Sequence, residues 1–252
     1  MRMGRGLIGI VAALCVALSP LAAQAQTRFE GWTSAIIAAD WRDGRGHPID
    51  AFDNARRDLV RSFLAAGFPR ASMVDYSLRT DVAQPTSPQA AVDGFTEMAT
   101  RADRGCLLYM TSHGSPQHMV FGETGEMTSD RLVSIIRRAC GARPTVIIIS
   151  ACYSGQFINA LQAPNRMVLT AARRDRTSFG CGAGERYPWF DGCILESLPK
   201  SADFLSLAAE TKACVATKEA EAGVALPSEP QLFVGGEMQM RLPTLRFSRP
   251  AS

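Results

Sequence analysis

The chain has 252 residues, of which 46% are hydrophobic and 20% charged, with a formal net charge of +3. It is too apolar and too weakly charged for a disordered chain, and it has no low-complexity bias. Its 27 basic residues so nearly balance its 24 acidic ones that the electrostatic footprint of a nucleic-acid binder is excluded, and no nucleic-acid partner is expected.

The first segment has the order of an export signal. Arg2 and Arg5 precede an apolar run from Leu7 to Leu18, and Ala23-Gln24-Ala25 is an A-x-A cleavage site. The run is short for a membrane span. Residues 1–25 are therefore expected to be cleaved. Residues 26–252 are expected to form one exported domain, periplasmic or secreted, with no membrane attachment after cleavage. A retained N-terminal anchor is the competing reading.

Strands and helices then alternate. Residues 34–39 are an apolar run that reads as a strand. Residues 50–66 carry Phe52, Leu59, Val60, Phe63 and Leu64 at helical spacing, and Gly67 with Pro69 stops the helix. Residues 72–78 form a second strand. Ser87-Pro88 opens a helix to about Ala102, with proline at the first helical position. Residues 106–111 (CLLYMT) are an apolar strand that ends in Ser112-His113-Gly114, and residues 119–121 fit a hairpin arm. A helix follows over 128–138, closed by Gly141. Residues 145–150 (TVIIIS) are the most apolar, β-branched strand of the chain. Residues 154–161 look helical, 167–171 form a strand, 173–188 are structureless, 201–222 form a long helix and 231–234 a last strand. Strands alternating with helices predict a mostly parallel central sheet with helices on both faces, an α/β domain of three layers.

Ligands of such sheets sit beyond the carboxyl ends of the strands. Two strand ends there carry chemistry: Thr111-Ser112-His113-Gly114, and Ser150-Ala151-Cys152-Tyr153-Ser154-Gly155. A thiol becomes a strong nucleophile as thiolate, and a neighbouring imidazole lowers its pKa. Gly114 and Gly155 let the backbone approach a substrate carbonyl. The backbone N–H groups of Gly114 and Cys152 are oxyanion-hole donors in this reading, and a helix opening near Ser154 adds its positive end. His118 is a competing base, and His47 a candidate for the substrate pocket. Either the Cys or the His alone is more often a buried structural residue. No C-x-x-C occurs and the chain has three histidines, so the spacing does not suggest zinc, and Cys–His chemistry of this kind implies no metal or organic cofactor.

These residues carry a resemblance. LLYMTSHGSPQHMVFG resembles the histidine segment of the legumain-type (C13 family) cysteine peptidases: an apolar strand, D-H-G-x-P, then a return strand. SACYSG is similar to their nucleophile segment, E-A-C-x-S-G, and TAARRDRTSFGCG to the strand and pocket loop that follow. Caspases share the clan, but their Q-A-C-x-G segment is one residue tighter. The resemblance spans roughly residues 35–234. It implies a caspase-like fold and an endopeptidase acting on polypeptide substrates through an acyl-enzyme.

Position by position, it implies Cys152 as nucleophile, His113 as general base and acid, and Gly114 and Cys152 as oxyanion donors. His47, Ser150, Ser178 and Asp191 fall on substrate-binding positions, and Asp50 follows His47 at the family spacing. Three positions depart. The pocket arginine falls on Gly46, with Arg45 beside it. The pocket glutamate is Ser150, and the aspartate before the histidine is Ser112. Such changes alter the hydrogen-bond pattern that recognises a buried polar side chain, so the P1 preference is left open. Two rivals remain: a transpeptidase or transamidase using the same Cys–His pair, and an inactive domain that binds extended peptides.

Of the seven cysteines, Cys15 lies in the signal. Cys181 and Cys193 bracket a short segment and are expected to pair, which would hold Asp191 in a pocket wall; two unpaired thiols are the alternative. Cys140 and Cys214 lie on two predicted helices and are candidates to pair with each other, and Cys106 is expected to be a buried free thiol.

Overall fold

The structure is a computed structural model, and it describes residues 28–248. The expected signal segment lies outside the described residues. In chain order the elements are β1 (Trp32–Ala38), α1 (Ala51–Ala65), β2 (Met73–Ser77), α2 (Pro88–Thr100), β3 (Gly105–Thr111), β4 (Met119–Val120), β5 (Glu126–Met127) and α3 (Ser129–Cys140). Then follow β6 (Thr145–Ser150), α4 (Ile158–Leu161), β7 (Arg166–Thr170), α5 (Trp189–Ser197), α6 (Phe204–Glu221), β8 (Gln231–Val234) and α7 (Gly236–Arg241).

Six strands make one sheet in the order β2-β1-β3-β6-β7-β8. Every pair is parallel except β7–β8. All residues of β1, β3 and β6 are buried, as strands covered on both faces must be. Alternate side chains divide between two cores. Leu107, Tyr109 and Ile148 pack with Leu59 and Phe63 of α1, Phe190 of α5 and Phe204 of α6. Leu108, Met110, Ile147 and Ile149 pack with Val92 and Phe95 of α2 and Leu132 and Ile136 of α3. The protein is thus a three-layer α/β structure, as expected.

Local chemistry sets the helix starts. The Ser87 side chain accepts from Ala90 N–H at 3.1 Å, with Pro88 opening α2. Thr128 caps α3 through Arg131 N–H at 3.3 Å. Asp203 and Ser206 form a reciprocal capping box, so α6 starts at Phe204 rather than at residue 201. The segment 154–161 divides into a 3₁₀ turn, Ser154–Phe157, and the single turn α4. Tyr153 stands before it in the left-handed region, φ 58°, which bends the chain sharply off β6. The helix α5 went unread in the sequence; Pro188, at its N-cap, directs the chain into it.

The cysteine expectations need correction. Cys193 bonds Cys214, not Cys181, and Cys106 bonds Cys140. Cys152 and Cys181 are free. Pairing follows packing. The helices α5 and α6 lie side by side and bring the Cys193 and Cys214 Cα atoms to 5.6 Å. Cys106, on β3, lies under the end of α3, 5.9 Å from Cys140. Cys140 and Cys214 belong to opposite faces of the sheet and cannot meet.

Candidate active site

The register of β3 and β6 sets the two chemical segments level. Thr111 pairs with Ser150 as the last rung, so His113 and Cys152 each lie two residues beyond their strand's end. Ser112 N–H donates to Ser150 O at 3.0 Å, continuing the ladder. Gly114 lies against Cys152 so closely that a Cβ there would meet the Cys152 carbonyl oxygen at 2.2 Å. Only glycine fits. Among the described residues, neither the Gly114 nor the Cys152 backbone N–H has an intramolecular partner.

The Cys152 Sγ accepts from Ser178 N–H at 3.2 Å and lies 3.5 Å from the Ser178 hydroxyl. The influence of the nearby Cys181 thiol, then the Ser178 hydroxyl and N–H and the charge of His113, outweigh burial and hold the Cys152 thiol down at about 6. The Cys181 thiol is pushed well above the ordinary range by its contact with Cys152 and by burial.

His113 Nε2 lies 2.8 Å from the Arg42 carbonyl oxygen. A carbonyl only accepts, so Nε2 carries the proton and Nδ1 keeps its lone pair in the neutral ring. The Phe52 ring stands edge-on to the imidazole, centroids 5.1 Å apart at 81°, and fixes its plane. Arg42 is itself held by Asp40, by Gly122 O and by Glu123 O. Ser112, at the family's aspartate position, donates to Val120 O at 2.8 Å and is buried. His118 pairs instead with Glu126 across the β4–β5 hairpin, at 3.5 Å.

The four substrate-binding candidates separate. Ser178 lies on Cys152. Asp191 and Ser150 meet beneath the strand ends, where the Asp191 carboxylate accepts from Thr111 Oγ1 at 2.5 Å and from the Tyr109 hydroxyl. The Ser150 side chain adds a smaller pull toward the charged form. Asp191 has no exposed surface, and burial pushes its carboxyl up to about 6 against these three side chains. His47 is exposed and rests on Asp43 at 3.3 Å. Its backbone N–H, donating to Asp43, is the main cause of a lowered Asp43 carboxyl. Arg45 is exposed in the same turn, and Gly46 adopts φ +86° with open space around it.

Three contributors went unread in the sequence. The Arg42 carbonyl leaves no trace in a side-chain pattern. Phe52 reads as helix core, which it also is. Cys181 reads as half of a structural disulfide, although its place three residues after Ser178 was a signal that it shares the loop against Cys152. Among the described residues no cluster of His, Cys, Asp and Glu could hold a metal ion.

A mostly parallel sheet with a thiol and an imidazole at adjacent strand ends defines a caspase-like architecture. The structure is similar to caspase-1 from Spodoptera frugiperda, with a TM-score of 0.60 at 14% identity, over 83% of this chain and 87% of that one. Residues 86–206, which hold both strand ends and the loop bearing Ser178 and Cys181, match the model described as Peptidase C13 family. No curated protein matches the sequence. Over residues 86–206 the chain is similar to the Peptidase C13 family, and with the caspase-like fold this supports a cysteine-type peptidase, a hydrolase.

Proposed function

We propose that the protein is an exported, single-domain cysteine endopeptidase in which Cys152 and His113 form the catalytic dyad. The observation that carries the reading is the Cys152 thiol, held down by its donors at one strand end, level with an imidazole whose Nε2 is committed to the Arg42 carbonyl.

In this reading the Cys152 thiolate attacks the scissile carbonyl carbon. The oxygen becomes an oxyanion facing the two free N–H groups of Gly114 and Cys152. His113, protonated at Nδ1, gives that proton to the leaving amine, and a thioester to Cys152 remains. His113 then takes a proton from water, hydroxide attacks the thioester, and the acid product leaves as Cys152 regains its thiolate. Ser178 flanks the nucleophile, and an extended polypeptide adds along the residue 178–180 edge as a strand. Asp191 with Ser150 forms the floor of the P1 site, and His47 its outer rim. The turn at 43–47 offers a rim arginine, Arg45, where the family's pocket arginine is replaced by Gly46.

The test is labelling of the reduced protein by electrophilic peptide probes carrying P1 asparagine, aspartate or arginine. Wild type is expected to be labelled at Cys152, Cys152→Ala not at all, and His113→Ala more slowly by at least about a hundredfold. A folded wild type labelled by no probe, or labelled equally in His113→Ala, overturns the dyad. Residual probe preference reads out P1. An added amine nucleophile that is incorporated into product would move the reading to transpeptidation.

A further inference from the structure

We propose that Cys152 and Cys181 close a reversible disulfide that switches the peptidase off. The proposal rests on the reading of Cys152 as nucleophile. The other four described cysteines are joined in pairs, and these two are left free. Ser178 N–H, on Cys152 Sγ at 3.2 Å, fixes the register of the loop. Three residues on, the Cys181 thiol comes close enough to the same sulfur to be the largest influence on its charge.

The surroundings hold the second thiol in the site. Cys181 packs on the apolar cluster of Ala38, Ile49, Ala51 and Phe52. Phe52 is the residue whose ring sets the plane of His113. Before Cys181 the chain is fixed: Trp189 N–H donates to Phe179 O at 3.0 Å, and a Cβ on Gly180 would meet the Trp189 ring at 2.3 Å. After Cys181 it is open, with nothing within 4 Å of a Cβ on Gly182 or Gly184. The thiol is thus delivered to Cys152 by an anchored segment and followed by one free to adjust as the sulfurs move to bonding distance.

Cys152, held down, is the attacking thiolate, and the charge on Cys152 that helps keep Cys181 protonated is gone once Cys152 is in the mixed disulfide. The oxidant is a small-molecule disulfide. Cys152 thiolate attacks one of its sulfurs, the reagent S–S bond breaks, and one reagent thiolate leaves and is protonated. Cys181 loses its proton to solvent base and attacks Cys152 Sγ. The mixed disulfide breaks, and the second reagent thiolate leaves. The protein loses two electrons and the reagent disulfide gains them as two thiols. The Cys152 sulfur then has no thiolate to offer a carbonyl, and a reducing dithiol reverses the sequence.

The experiment treats the full chain, as wild type and as Cys181→Ser, with oxidised glutathione, and reads intact mass, non-reduced peptide maps and labelling of Cys152 by the peptide probes. Wild type is expected to lose its labelling, to show Cys152 linked to Cys181 with no glutathione attached, and to recover with dithiothreitol. Cys181→Ser is expected to carry glutathione on Cys152. A wild type that retains glutathione on Cys152, or that stays as reactive after oxidation as before, overturns the proposal. A reduced wild type that no probe labels at Cys152 overturns the peptidase role of that residue and the switch with it, even where the linked peptide forms.

Discussion

The Cα of Gly114 packs directly on the backbone carbonyl of Cys152, with no room for a methyl group between them. The contact ties the end of β3 to the end of β6 beyond their last rung. Gly114→Ala is expected to push the two ends apart while leaving the sheet folded. A displacement near 1 Å costs about a hundredfold in a positioned reaction, so the rate of probe labelling at Cys152 should fall by about that factor. Unchanged labelling in the Ala variant would show that the close approach has no bearing on reactivity.

The Cys181 thiol is the first cause of the lowered Cys152 thiol. A donor to a thiolate favours the charged form, so removing it raises the pKa. Cys181→Ala should move the midpoint of Cys152 alkylation upward from about 6, toward the ordinary thiol range. Alkylation by a small neutral reagent should then slow at pH 6 and match wild type at pH 9. Thiolate absorbance against pH gives the same midpoint independently.

Asp191 makes a pH prediction of the opposite kind to most carboxylates. Burial raises it to about 6 from an ordinary 3.8. Between these values the folded protein holds a proton that the unfolded chain has released. Stability therefore falls as pH rises through that window, by about 3 kcal/mol in all, and is highest below it. Asp191→Asn, which carries no charge to bury, should lack this component. Denaturant unfolding of both proteins at several pH values between 4 and 7 measures the difference. A constant gap between the two curves would contradict the raised carboxyl.

The disulfides make a stability prediction. Cys193–Cys214 closes a separation of 21 residues and Cys106–Cys140 one of 34. In the loop-entropy picture these contribute about 3 and about 4 kcal/mol. The paired variants Cys193→Ala with Cys214→Ala, and Cys106→Ala with Cys140→Ala, should each unfold at lower denaturant by amounts of that order. Non-reduced peptide maps should show the two pairs and no Cys181–Cys193 link.

The parts of the fold legible in the sequence are those fixed by local pattern. The continuous apolar runs of β3 and β6 mark covered parallel strands, and Ser87-Pro88 marks the start of α2. The two site segments are legible because each couples a buried strand to a reactive side chain and a glycine. What is set by packing between distant elements is not legible. Whether Cys193 meets Cys181 or Cys214 depends on α5 lying along α6, and no spacing within one segment records that. The short helix α5 follows a loop of turn residues and has no strong apolar stripe of its own. The support of His113 comes from a carbonyl, an atom that every residue possesses. Asp191 is visible as a candidate, but its complete burial depends on Tyr109 and Thr111, two residues that read as ordinary strand interior.

The pairing of Thr111 with Ser150 has one more consequence. The spacing between the imidazole and the thiol is stored in the hydrogen-bond ladder of two adjacent strands, not in the chain that joins them. Residues 112–144 could lengthen or shorten at the β4–β5 hairpin and leave the pair in step. One residue inserted within β3 or β6 would slide an end by about 3.3 Å and turn its side chains to the other face. Variation in length is therefore tolerable in the connections and forbidden in the strands, which makes the sheet the ruler of the site.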